Sequence, residues 1–265
     1  MSAAALVSAL TLGAAVVAGC ATARVPFPAQ PAPGTVFHSF TKPDGDGPFP
    51  AVVLLHTCGG VGRHMPGWAG RLRALGYASV IVDSFTPCGR PECTIPTYFP
   101  ATLDQTTEDA FAALEYLRGR PDIQPDRIGV LGFSWGASAA LRTSSVRYRR
   151  GAPGGGFRAA AAYYPLCVSP LASWPPEAQE RANNLLDDVE APTLVLMGAD
   201  DQDTLNVAQN CANKVAELAR RGRPVAITMY PGAEHVFDVR NPAAARQALD
   251  DLQRFFATHL KGARP

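Results

Sequence analysis

Arg127-Ile128-Gly129-Val130-Leu131-Gly132-Phe133-Ser134-Trp135-Gly136-Ala137-Ser138-Ala139-Ala140-Leu141-Arg142 is the stretch whose reading decides the fold. Its first seven residues are short, apolar and preceded by Pro125-Asp126, which reads as a buried strand. Its last six are good helix formers. Between them stands Gly-Phe-Ser-Trp-Gly, a G-x-S-x-G turn. A strand, a sharp turn and a helix make a nucleophile elbow, with Ser134 in strained backbone at the top of a sheet. Gly132 and Gly136 suit it, because strand and helix approach too closely there for a side chain.

Outward from this turn, strands and helices alternate. Ala51-Val52-Val53-Leu54-Leu55 and Thr193-Leu194-Val195-Leu196-Met197-Gly198 are continuous apolar runs, as in strands buried on both faces. Strands are also expected over 36–42, 77–82, 157–164 and 225–230. Helices are expected over 68–75, 103–118, 207–220 and 241–260. The prediction is an α/β protein with a mostly parallel central sheet, helices on both faces and small cap or loop insertions. The loop over 84–100 and the Pro-rich stretch 166–188 are the insertions. In such a fold the chemistry sits at the carboxyl ends of the strands.

The chain has 265 residues, 47% of them hydrophobic and 18% charged, with a net charge of +1. That suits one α/β domain over 35–265 and leaves no electrostatic case for a nucleic-acid partner. The first twenty residues stand apart from it: Met1 to Gly19 carries no charge and is rich in Ala, Val and Leu. Its end, Val17-Ala18-Gly19-Cys20, resembles the lipobox of bacterial lipoproteins. The resemblance implies a signal peptide over 1–20, a lipid on Cys20, and membrane attachment in the cell envelope. The Pro-rich stretch 21–34 then reads as an extended tether.

Export fits the remaining cysteines, Cys58, Cys88, Cys93, Cys167 and Cys211. Cys88 and Cys93 are close enough to pin their loop with a disulfide, a closure contributing only about 2 kcal/mol. Cys167 and Cys211 are candidates for a second bridge, which leaves Cys58 as the expected unpaired thiol. No histidine stands at metal-ligand spacing from the close pair, so no metal is expected. No organic cofactor is implied either.

Ser134 needs a base and an orienting acid. His235, on the loop after the last strand, is the candidate base. Asp200, Asp201 and Asp203 are candidate acids, with Asp203 also suited to capping the following helix. The order serine, acid, histidine is that of α/β-hydrolases. His38 and His259 read as structural, and His56 and His64 as residues that shape the pocket. One oxyanion donor is expected from the backbone N–H of Trp135.

Five stretches together resemble the dienelactone hydrolase family: Leu54-Leu55-His56-Thr57-Cys58-Gly59-Gly60, Val82-Asp83-Ser84-Phe85, Leu131-Gly132-Phe133-Ser134-Trp135-Gly136, Met197-Gly198-Ala199-Asp200-Asp201, and Tyr230-Pro231-Gly232-Ala233-Glu234-His235-Val236-Phe237-Asp238. The resemblance implies an α/β-hydrolase fold and selects Asp201 as the acid, three residues past Gly198. It also implies the backbone N–H of Cys58 as second oxyanion donor, with Thr57 next. His56, Thr57, His64, Arg90 and Tyr164 are expected around the substrate. Lactone-cleaving members of the family use a cysteine nucleophile and a glutamate where this chain has Ser134 and Thr57. The expected activity is therefore hydrolysis of a small-molecule carboxylic ester through an acyl-enzyme, with lactones a secondary class. A binding lipoprotein without turnover, or a peptidase or acyltransferase, are the alternatives.

Overall fold

The computed structural model describes residues 37–86, 99–149, 155–167, 186–202 and 207–262, with side chains from residue 103 onward in the second stretch. The expectations for the signal and tether, Cys20, Cys88, Cys93, Arg90, Asp203 and most of 166–188 lie outside these residues. Seven strands are described: β1 (Phe37–Thr41), β2 (Phe49–Leu55), β3 (Ala78–Val82), β4 (Ile123–Phe133), β5 (Ala159–Tyr163), β6 (Thr193–Gly198) and β7 (Val225–Tyr230). They form one sheet in the order β1-β3-β2-β4-β5-β6-β7. Only β1 runs antiparallel, entering at Phe37 beside Val82 at the carboxyl end of β3. Val82, Leu55 and Gly132 pair across β3, β2 and β4, so one row of residues marks the carboxyl rim of the sheet. Ser134 stands immediately beyond it.

The described helices are α1 (His64–Ala74), α2 (Phe99–Arg118), α3 (Trp135–Thr143), α4 (Val146–Arg149), α5 (Ala208–Arg220), α6 (Phe237–Arg240) and α7 (Pro242–Leu260). The period-2 alternation of β2 divides the core. Val52 and Leu54 pack in a cluster with Trp68 and Leu72 of α1 and Leu252, Phe256 and Leu260 of α7. Val53 and Leu55 pack with Leu103, Ala110, Leu114 and Leu117 of α2. All four β2 residues are fully buried. Burying each such leucine stabilises by about 2 kcal/mol, and this explains why the strand carries no polar face.

Helix starts differ from expectation at α1 and α2, the latter beginning at Phe99 rather than Leu103. The first helix starts at His64 rather than Trp68, because Met65 extends the buried stripe of Trp68 and Leu72 by one turn. The terminal helix is preceded by the one-turn α6 and restarts at Asn241. Asn241 has extended backbone, and its side chain accepts the Ala244 N–H at 3.1 Å, with Pro242 opening the helix.

Cys167, after β5, is disulfide-bonded to Cys211 in α5. Cys58, expected as the unpaired thiol, is itself disulfide-bonded. The spacing of the cysteines carried no information on that pairing.

Candidate active site

Ser134 sits at the turn between β4 and α3 with φ +49° and ψ −107°, a conformation a non-glycine residue holds only where its surroundings enforce it. The two glycines make the turn possible. A Cβ on Gly132 would stand 2.1 Å from the Gly136 carbonyl oxygen, and one on Gly136 would stand 2.4 Å from the Leu55 carbonyl oxygen. The Ser134 N–H donates to the Tyr163 carbonyl and the Gly136 N–H to the His56 carbonyl, both at 3.0 Å. These bonds tie the elbow to the neighbouring strand ends. The Trp135 indole N–H donates to Thr106 Oγ1 of α2 at 3.1 Å, anchoring the start of α3.

Ser134 Oγ lies 3.1 Å from His235 Nε2. His235 Nδ1 lies 2.7 Å from Asp201 Oδ2. The Asp201 side chain is fully buried and that of His235 is 20% exposed. A buried carboxylate accepts only, so Nδ1 carries the imidazole proton and Nε2 is left to accept from the serine hydroxyl. Asp200, the neighbouring candidate, is exposed. The acid loop and the histidine loop are joined by backbone bonds, Ala199 N–H to Tyr230 carbonyl and Asp200 N–H to Ala233 carbonyl, each 2.9 Å.

Thr57, Cys58, Gly59 and Gly60 form a tight turn after β2, closed by the Gly60 N–H on the Thr57 carbonyl at 3.1 Å. Cys58, partly buried, and Trp135 thus stand at the carboxyl ends of adjacent strands. His56, expected beside the substrate, is only 1% exposed. Its Nδ1 lies 2.7 Å from the Thr57 carbonyl, and its Nε2 accepts the Ser84 N–H at 3.2 Å. Its ring meets Phe85 edge-on at 4.6 Å. Burial pushes its pKa down, so it is a neutral imidazole tying together the ends of β2 and β3.

His64, half-buried, packs edge-on against Phe133 at 5.9 Å between ring centroids. Burial lowers its pKa against the opposing charge of Asp238. Tyr164 is fully buried, with its ring edge-on to His235 at 4.8 Å. Arg90 lies outside the described residues, and Arg240, at the end of α6, is exposed.

Asp238 had no role in the sequence reading. It is 8% exposed and accepts from Trp68 Nε1 at 3.1 Å and from the Tyr164 hydroxyl at 2.6 Å. The available signal was its place three residues after His235, in the last of the five stretches that carry the family resemblance. Among the described residues no group of three or more His, Cys, Asp or Glu side chains could hold a metal ion.

A model of the dienelactone hydrolase family matches residues 38–260. A probable 2-oxo-3-(5-oxofuran-2-ylidene)propanoate lactonase of a Bradyrhizobium species is 26% identical over 243 residues, 84% of this chain and 89% of that protein. Among solved structures, the Thermogutta terrifontis esterase Est2 superposes with a TM-score of 0.64 at 17% identity, covering 86% of this chain and 90% of that one. The dienelactone hydrolase of Anabaena variabilis superposes with a TM-score of 0.61 at 19% identity, covering 84% and 91%. At these identities the solved structures speak to the fold, which is that of the α/β-hydrolases.

Proposed function

Because this chain belongs to the dienelactone hydrolase family, we propose that it is an exported serine hydrolase that cleaves carboxylic esters through an acyl-enzyme. The observation that carries the reading is the line Ser134 Oγ, His235 Nε2, His235 Nδ1, Asp201 Oδ2, with gaps of 3.1 and 2.7 Å. His235 takes the Ser134 proton as Oγ adds to the ester carbonyl, and Asp201 stabilises the imidazolium that forms. The N–H groups of Trp135 and Cys58 receive the oxyanion. Collapse of the tetrahedral intermediate expels the alcohol, which takes its proton from Nε2. Water, deprotonated by His235, then adds to the acyl-enzyme and releases the acid, restoring Ser134.

Ser134 and Thr57 favour neutral esters as substrate, and the relative's name makes lactones the second class to test. Disulfides at Cys167–Cys211 and at Cys58 suit an oxidising compartment, in keeping with the Val17-Ala18-Gly19-Cys20 signal. The deciding experiment is labelling with a fluorophosphonate, alongside turnover of p-nitrophenyl esters of graded chain length and of γ-lactones. Wild type should label and turn over, and Ser134→Ala should do neither. An unlabelled wild-type serine would instead favour a binding protein. For export, intact-mass measurement of the membrane fraction should find a diacylated Cys20 as the first residue. An unmodified start further downstream would leave only a cleaved secretory signal.

A further inference from the structure

Three non-glycine residues of the described chain have positive φ: Ser134 at +49°, Tyr164 at +44° and Val236 at +61°. One is the nucleophile. The other two flank His235, Val236 in sequence and Tyr164 in space, with its ring edge-on to the imidazole at 4.8 Å. A bulky or β-branched residue in this conformation is strained, and the strain persists only where other contacts enforce it.

Asp238 joins both sites. It belongs to the single turn that follows Val236, and its Oδ1 accepts the Tyr164 hydroxyl at 2.6 Å. Its Oδ2 accepts the Trp68 indole N–H at 3.1 Å, from α1. Among the described residues no Lys or Arg forms a salt bridge with it, although it is 8% exposed. Burying a carboxylate without a cation is costly. Two donors converging from different elements explain its identity, because a carboxylate accepts from both, whereas an amide can accept from Trp68 only by turning its N–H₂ to Tyr164 and reversing that bond.

We propose that Asp238 is a positioning residue: by holding Tyr164 and the turn after Val236 together, it fixes the imidazole of His235 between Ser134 and Asp201. The kinetic part rests on the hydrolase reading above; the geometric part does not. Tyr164 also donates its N–H to the Leu196 carbonyl at 2.8 Å. Its backbone is thus pinned to β6 and its hydroxyl to the histidine turn, so the ring is a fixed wall for the imidazole. Without the carboxylate the wall loses one of its two supports. Displacing a catalytic group by about 1 Å can cost on the order of a hundredfold in rate.

The test uses the mature protein with Asp238→Asn, Tyr164→Phe and the double variant. Two readouts are taken: the far-downfield proton resonance of the His235 Nδ1–H facing Asp201, and kcat and KM on a p-nitrophenyl ester. Each single variant should shift or broaden the resonance and lower kcat by roughly tenfold to a hundredfold with KM little changed. The double variant should be no worse than the poorer single one, as for two groups acting through one contact. Tyr164→Phe keeps the volume of the ring and serves if Asp238→Asn fails to fold. Folded variants with an unchanged resonance and unchanged kcat, or with only a lower melting temperature, would overturn the proposal. A perturbed resonance in a protein whose wild type hydrolyses no ester would keep the clamp and reject the hydrolase reading. Turnover abolished by Ser134→Ala but untouched by Asp238→Asn would do the reverse.

Discussion

The N–H of Asp200 donates to the carbonyl of Ala233 at 2.9 Å, so the loop carrying Asp201 and the loop carrying His235 behave as one hydrogen-bonded unit. The separation of acid and base is therefore set by backbone, and only their side-chain chemistry is open to substitution. Asp201→Asn should lower kcat by on the order of 10⁴, by stabilising the wrong imidazole tautomer. Asp200→Asn, on an exposed side chain, should leave it within a few-fold. Steady-state kinetics of the two variants side by side check this, and a reversed order would move the acid by one residue.

His56 should matter without touching substrate. His56→Phe preserves the ring facing Phe85 but removes the acceptor for the Ser84 N–H and the partner of the Thr57 carbonyl. Leaving the buried Ser84 N–H unpaired costs about 1–3 kcal/mol, while the Thr57 carbonyl keeps the Gly60 N–H. Turnover should fall with it, since the turn carrying Cys58 loses a support. Burial lowers the folded pKa of His56. Below an unfolded value near 6.5 the unfolded chain binds the extra proton, so this contribution to stability is lost as pH falls. Denaturant titrations at pH 7.5 and 5 should show a smaller acid loss in His56→Phe than in wild type.

Asp109 gives the opposite slope. Its side chain is fully buried on α2 beside Gln105, whose amide donates to it at 2.9 Å. Burial, with Glu108 and Asp83 adding to it, raises its pKa from 3.8 to about 6. The folded state therefore holds the proton longer, and stability from this group is lost as pH rises from about 4 through about 6. Asp109→Asn should stabilise by on the order of 2 kcal/mol at pH 8 and by little at pH 4. Unfolding midpoints at the two pH values decide it.

Replacing both Cys167 and Cys211 by serine should destabilise the fold by about 4 kcal/mol at most, the loop-entropy expectation for a closure of 44 residues. The bond also anchors α5, whose first residue donates its N–H to the Asp201 carbonyl at 3.1 Å. A rise in KM or fall in kcat below the unfolding transition, measured in the double variant, would locate that coupling.

The elbow was legible because its requirements are local: an apolar run, two glycines at fixed spacing and a helix-forming tail. Strands β2, β3, β5 and β6 were legible because burial on both faces leaves them almost entirely apolar. The Asp238–Tyr164 bond was not, since it joins positions 74 apart and neither residue departs from its local pattern. His56 read as a pocket residue because its strand end faces the site. Only the coordinates show both ring nitrogens turned to backbone groups, and the Cys58 pairing was hidden for the same reason.

Strand β1 has a practical consequence. Phe37 enters the sheet beside Val82, on the rim that carries Ser134. The other terminus leaves from the opposite side, where Leu260 approaches Gly129 and the Lys261 carbonyl accepts from Arg127. A chain immobilised through its N-terminus presents the serine's rim to the support, and one immobilised through its C-terminus presents it to bulk solution. Cys20 is 17 residues ahead of Phe37, a leash of ~60 Å at full extension. Were Cys20 the anchor proposed above, the chain would enter the fold from the anchoring surface on the serine's own rim.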